Sequence, residues 1–151
     1  MDDPKHMVAA NVLVFNPRGE VLLNNNPKRS WENPGGKILE GETVIDCINR
    51  FLLQQAGITA EVGALTGVYS NTQAPSRVFL SFLATWVSGD LIGTAEWGDT
   101  RWVPRDEVIP MIGHPAIVDR IRDMFTFMET GKVIYRVYTT DPYVPISIRN
   151  I

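Results

Sequence analysis

Residues 35–58, GGKILEGETVIDCINRFLLQQAGI, join a glycine-rich loop to an amphipathic helix, and that junction limits the folds open to the chain. At about 100° per residue, Val44, Ile45, Cys47, Ile48, Phe51 and Leu52 share one broad arc, the pattern of a helix packed on a sheet or core. The spacing predicts a helix over 42–56, with Gly57 as its C-terminal stop. Cys47, the single cysteine, lies in the arc and reads as a core residue; alone it forms no internal disulfide. Gln55 falls in the middle of the same arc. An unpartnered amide there is costly, so it is expected either to sit in a frayed last turn or, on the favoured reading, to line a wet cleft. Ahead of the helix, Gly35 and Gly36 let a ligand approach the backbone, Lys37 supplies a positive charge, and Glu42 stands near the positive end of the helix dipole. A loop of this kind feeding a helix is a weak sign of an anion site.

Strand patterns flank this unit. HMVAANVLVFN and VLLNN read as two strands joined by the turn at residues 16–19. NNNPKRSWENPGG reads as a loop too polar for a core element. ITAEVGALTGVYSN and RVFLSFLATWVSG follow as strands, then a short strand TRWVP and one helical turn in RDEVIPM. HPAIVDRIRDMFTFMETG is an amphipathic helix with Ile117, Ile121, Met124, Phe125 and Met128 on one face. KVIYRVYTTDPYVPISIRN closes the chain as two strands around a turn. The order predicts an α/β domain, a mixed sheet with helices packed on it.

A chain of 151 residues with 44% apolar and 21% charged residues suits one domain with its own core. A net charge of −3 argues against general nucleic-acid binding, yet a small phosphorylated ligand needs only a few local cations. The acidic start MDDPK lacks the basic region of a signal peptide, and no apolar run approaches the ~18 residues of a membrane span. A cytoplasmic protein without a membrane partner is the expectation. His6 and His114 suggest no zinc site, and no Ser–His–Asp arrangement stands out.

The spacing in residues 36–58 carries a resemblance. Gly36, five residues, Glu42, seven residues, Arg50, an aliphatic Leu52 and then QQAGI follow the frame G-x5-E-x7-R-E-U-x-E-E-x-G-U, where U is a bulky aliphatic residue. This resembles the Nudix box. SWENPGGK, GVYSN, FLATWVSGDL and AEWGDTRWVPRDEV also resemble segments of Nudix hydrolases, so the likeness covers roughly residues 7–130. It implies an α/β/α sandwich with a mixed sheet, and hydrolysis of a nucleoside diphosphate linked to another group with Mg²⁺ or Mn²⁺. The flanks look most like the 8-oxo-dGTP diphosphatase branch. On this reading residues 1–151 form a single Nudix domain, with residues 132–151 a C-terminal β extension whose edge suits a homodimer.

The box departs from the family where the resemblance places its metal-holding glutamates. Phe51, Gln54 and Gln55 stand at those three positions. Mg²⁺ wants oxygen ligands, commonly carboxylates and substrate phosphates. Gln offers an uncharged carbonyl and Phe offers nothing. One unit charge lost at about 4 Å removes roughly 4 kcal/mol of attraction at an effective dielectric near 20. Glu42 remains as the box acid, a candidate catalytic and metal-binding residue. Glu96 and Asp99 are further catalytic candidates from the loop where many family members carry a glutamate. Arg50 is expected to pair with Asp46.

Ligand contacts are expected from Lys28, Arg29, Gly35, Gly36 and Lys37, with Tyr69, Trp31 and Trp86 as stacking surfaces. Three readings stay open. The chain is a Nudix-fold binder of a nucleotide-like ligand with hydrolysis weak or lost, an active hydrolase using Glu42 with Mg²⁺ or Mn²⁺, or a non-catalytic interaction module without a cofactor.

Overall fold

The computed structural model describes residues 2–151. In chain order it contains β1 (Met7–Phe15), β2 (Val21–Asn26), β3 (Ser30–Glu32), β4 (Gly35–Lys37), α1 (Val44–Ala56), β5 (Thr59–Asn71), β6 (Arg77–Ser88), β7 (Thr100–Val103), α2 (Arg105–Met111), α3 (Pro115–Thr130), β8 (Ile134–Thr139) and β9 (Val144–Asn150). The strands make one nine-stranded sheet in the order β3-β2-β1-β6-β5-β8-β9, with β4 also paired to β1 and β7 to β2. β1–β6 and β5–β8 are parallel and the remaining pairs antiparallel, so the sheet is mixed.

β1 explains the layering. Its sequence MVAANVLVF is apolar almost throughout because helices cover both its faces. Val12 and Val14 pack with Cys47, Ile48, Phe51 and Leu52 of α1. Leu13 points the other way, into a cluster with Val21, Leu23, Val108, Ile117, Ile121 and Met124. Burying each Val or Leu contributes on the order of 1.5–3 kcal/mol. The sandwich implied by the family resemblance is therefore the fold this chain forms, with α1 on one face and α2 and α3 on the other.

The predicted helix at 42–56 starts two residues later, at Val44. Thr43 is its N-cap, with Oγ1 accepting from the Asp46 N–H at 3.0 Å, and Gly57 (φ 72°) ends it as expected. Ile45, placed on the apolar arc by periodicity, lies at the arc's margin and is exposed, as is Met128 in the last turn of α3. RDEVIPM is seven residues of helix rather than a single turn.

The segment expected to be a loop, NNNPKRSWENPGG, instead supplies the end of β2 and the strands β3 and β4, and it buries Glu32 and Asn33. Its polarity misled because polar side chains it buries are held by internal partners, Glu32 by Arg29, Asn33 by the Val12 carbonyl and Asn26 by the Lys28 N–H. β4 pairs with β1 through Ala9↔Lys37, Ala10↔Gly36 and Asn11↔Gly35. The absent side chain at Gly36 lets α1 close on it, since a Cβ there would sit 3.1 Å from Phe51 Cδ2. At the opposite side of the sheet β9 is a free edge, with Val144, Ile146 and Ile148 exposed. Among the described residues no helix is long and apolar enough to cross a membrane.

The Thr43 cap orients the helix that closes on β4. Thr43→Ala is expected to lower stability by about 1 kcal/mol in urea unfolding without changing the far-UV spectrum.

Candidate ligand-binding cleft and the box helix

A cleft of about 470 Å³ opens on the α3 side of the sheet. It begins where the row of β1 side chains facing α3 changes from Leu13 to Asn11, Ala9 and Met7. Parallel pairing sets these beside Ser81, Phe79 and Arg77 of β6. Ala9 is too small to fill the space that Leu13 fills two positions along the same face. β4, the Arg29–Asn33 segment and the first two turns of α3 form the walls.

The floor is a chain of amides with a determinate orientation. Asn33 Nδ2 donates to the Val12 carbonyl at 3.0 Å and to Asn11 Oδ1 at 3.3 Å, and Ser81 Oγ donates to the same Oδ1 at 2.8 Å. A backbone carbonyl can only accept, so Val12 fixes the Asn33 amide, which in turn fixes Asn11. What remains is one free acceptor, Asn33 Oδ1, beside one free donor, Asn11 Nδ2. These residues are only 3% and 4% exposed. Leaving a buried polar group unpaired costs about 1–3 kcal/mol.

Positive groups dominate the lining. Arg29, Lys37, Arg77 and Arg120 face a single carboxylate, Glu32. Arg29 already holds Glu32 through two bonds of 2.8 and 2.9 Å. Arg120 is 8% exposed and lies over the Phe79 ring at 5.2 Å. His114 caps α3, its Nδ1 accepting from the Ala116 N–H at 3.2 Å, which leaves the proton on Nε2. Burial, and then the charges of Arg120 and Arg29, hold its pKa below the usual imidazole value.

The box helix is occupied otherwise than expected. Phe51 is fully buried in the core, as its place on the arc suggests. Gln55 does not line the cleft. It is buried and donates from Nε2 to the Gly35 carbonyl at 2.7 Å, so its amide is satisfied by backbone rather than by solvent. Arg50 pairs not with Asp46 but with Glu42, at 2.7 and 3.0 Å, and reaches the Lys37 carbonyl at 2.9 Å and Gln54 Oε1 at 3.2 Å. Glu42 lies in the turn before the helix, where the long guanidinium reaches it while the exposed Asp46 caps nothing. With Arg50 on both oxygens and the Leu39 N–H on one, the Glu42 pKa falls to about 2.

Glu96 lies in the loop closed by the Thr94↔Gly98 bridge, and Asp99 follows it directly. The Asp99 carbonyl accepts from the Asn25 N–H at 2.7 Å, and neither side chain lines the cleft. Among the described residues no three His, Cys, Asp or Glu side chains gather as a metal cluster.

Of the expected ligand contacts, Arg29, Gly35, Gly36 and Lys37 line the cleft. Lys28 is exposed outside it. Tyr69 is buried beneath α3, with its hydroxyl donating to Asp123 at 3.0 Å, so its ring is core rather than a stacking surface. Trp31 carries the Arg101 guanidinium at 4.9 Å, and Trp86 donates to the Gly89 carbonyl at 3.0 Å. The aromatic lining comes instead from Phe79 and Tyr138. Sequence reasoning also missed Asn11, Asn33, Arg77 and Arg120. Two had a readable signal: Asn11 is the one polar residue in the β1 run, and Arg120 sits three residues from Ile117 and next to Ile121 on the apolar face of α3.

A mixed sheet between α1 and the α2–α3 pair, with a glycine loop leading into α1 in the G-x5-E-x7-R frame, defines a Nudix-type α/β/α sandwich. Residues 5–125 match the NUDIX domain family model, and the chain belongs to the Nudix family. It is 27% identical over 143 residues to 8-oxo-dGDP phosphatase NUDT18 of Danio rerio, a match covering 89% of this chain and 40% of that protein. A MutT-like protein of Streptomyces ambofaciens is 32% identical over 106 residues, covering 70% and 68%. The human NUDT18 protein matches at 31% over 65% of this chain, so the chain spans 40% and 32% of the lengths of these two phosphatases. Among solved structures, a MutT protein from Bacillus halodurans superposes with a TM-score of 0.77 at 24% identity, covering 95% and 97% of the two chains.

Two predictions follow the box helix. The lowered Glu42 pKa means that its pair with Arg50 stabilises the fold fully above the carboxyl's ordinary value of 4.5, and that this is lost as pH falls through about 2. Urea melts should therefore show a wild-type advantage over Glu42→Gln that is flat near neutral pH and shrinks on acidification. An advantage unchanged down to pH ~2 would refute it. Gln55→Glu puts a carboxylate against the Gly35 carbonyl in a buried site, and should cost about 2–4 kcal/mol in the same measurement.

Proposed function

We propose that this Nudix-family chain binds a small nucleotide-like, phosphorylated ligand in the cleft, with hydrolysis weak or lost. The observation that carries this reading is how the box side chains are used. Phe51 is core, Gln55 holds Gly35, Gln54 accepts from Arg50, and Glu42 has both oxygens on Arg50. This donor set does not fit the Mg²⁺ or Mn²⁺ that the family implies. A hard dication needs carboxylate oxygens that are free to turn toward it, and the one acid left is held by a guanidinium. Glu96 and Asp99 lie outside the cleft and join no cluster.

The cleft supports ligand binding independently of the box. A free donor beside a free acceptor on the floor suits the hydrogen-bonding edge of a base, Phe79 and Tyr138 suit a planar ring, and the cations suit a phosphate. The names of the matched relatives point to the same ligand class, since the NUDT18 proteins are 8-oxo-dGDP phosphatases. A solved UDP-X diphosphatase superposes with a TM-score of 0.73 at 14% identity.

The test is a panel of nucleoside mono-, di- and triphosphates and nucleoside-diphosphate derivatives, incubated with Mg²⁺ or Mn²⁺ and followed for phosphate products and, by calorimetry, for binding. Saturable binding is expected, with phosphate release no faster than without protein. Robust turnover that Glu42→Gln abolishes would replace this reading with that of an active hydrolase.

A further inference from the structure

We propose that the cleft holds the phosphate of its ligand directly on Arg120 and Arg77, as a metal-free phosphomonoester site; this rests on the nucleotide-binding reading above. Arg120 is the key observation. It is more than nine-tenths buried and lines the cleft. Among the described residues it has no ion-pair partner, and its Nε has no hydrogen-bond partner.

The acids around it are already engaged. Asp123, one turn along α3, accepts from Arg136 at 2.6 and 2.9 Å and from the Tyr69 hydroxyl at 3.0 Å. Asp119 accepts from the Tyr143 hydroxyl at 2.6 Å and lies 3.9 Å from Arg136. Glu32, the carboxylate in the lining, is held by Arg29. Phe79 covers Arg120 from below and offsets part of the desolvation, but a ring face cannot accept the in-plane N–H bonds of a guanidinium. A buried, unpaired cation is strongly unfavourable unless an anion completes it.

The neighbours say which anion. Arg77 lies two residues before Phe79 on β6 and also lacks an ion-pair partner among the described residues, and Lys37 approaches from β4. One guanidinium neutralises a carboxylate. Two or three cations arriving from different elements suit a dianion with three terminal oxygens, which guanidinium forks bind bidentately. A divalent ion bridging that phosphate would have to enter among these same cations, with no free carboxylate in the lining to offset the repulsion.

Calorimetry with nucleoside monophosphates, the parent nucleosides, inorganic phosphate and citrate, each in EDTA and in millimolar Mg²⁺, tests the assignment. Monophosphates should bind in EDTA at least as tightly as in Mg²⁺ and far more tightly than nucleosides. Arg120→Met should weaken that binding by about 100-fold and Arg77→Gln by about tenfold. Without ligand, Arg120→Met should melt above the wild type, because methionine keeps the cover over Phe79 and removes the unpaired charge. A structural arginine would give the opposite shift, and that result overturns the proposal. So does monophosphate binding that requires Mg²⁺, which leaves the nucleotide reading standing. Binding of inorganic phosphate in EDTA without any preference for nucleotides sinks the nucleotide reading and keeps the arginine site. Citrate binding as tightly as phosphate would overturn the choice of anion. If Arg120→Met fails to fold, Arg120→Lys carries the same comparison, with a loss of about tenfold expected from the missing fork.

Discussion

The closure of α1 onto β4 is the constraint on which the rest depends. Four side chains of one helix converge on three residues of one short strand. Gln55 bonds the Gly35 carbonyl, Phe51 packs under Gly36, and Arg50 bonds the Lys37 carbonyl, with Cys47 Sγ 3.4 Å from the same oxygen. β4 is thereby held against β1, and β4 is also a wall of the cleft. The chemistry of the contacts dictates the residue types. A backbone carbonyl can only accept, so an amide or a guanidinium can hold it and an ionised carboxylate cannot. Two of the three positions where the family resemblance places glutamates, Phe51 and Gln55, fasten the helix to β4, and the third, Gln54, accepts from Arg50.

The charge distribution follows the same division of labour. The chain carries a net −3, yet the cleft is cationic. The one carboxylate in the lining, Glu32, is held by Arg29, and the acids nearby are held by the framework, with Asp123 on Arg136 and Asp119 beside it. Each of these pairs cancels locally, which leaves Arg120 and Arg77 as the uncompensated charges where α3 crosses β6. A local excess of this kind steers an anion whatever the overall sign, because at physiological salt the distant surface charges are screened within about 8 Å.

How far the sequence reveals this depends on what kind of interaction places each residue. Helix α1, its Gly57 stop and the burial of Cys47 and Phe51 were legible, because periodicity reports directly on a helix face. The expected ligand contacts Arg29, Gly35, Gly36 and Lys37 do lie along the cleft, because the loop that carries them folds as β3 beside β2 and β4 beside β1. The partner of Arg50 was not legible. Local spacing offered Asp46, but reach across the turn favours Glu42, and eight-residue separations are invisible to helical periodicity. Gln55 was misplaced for a related reason: its partner is a backbone carbonyl twenty residues away, and sequence patterns carry no information about carbonyls. Tyr69, Trp31 and Trp86 show the limit for aromatics, whose amphipathic character suits core and cleft equally until the sheet register decides.

The unpaired buried groups argue for what the cleft is built to meet. Asn11 Nδ2, Asn33 Oδ1 and Arg120 Nε all belong to residues that line it, and among the described residues only Asn24 Oδ1 lies elsewhere as a buried side-chain atom left without a partner. These three buried atoms, on residues that line one cleft, have already borne their desolvation on folding. A group whose desolvation is already borne by the fold adds little further cost when it meets a partner. On the proposed reading, stability and affinity are set against each other at the same atoms: the polar groups that cost the fold stability are the ones that would select a ligand.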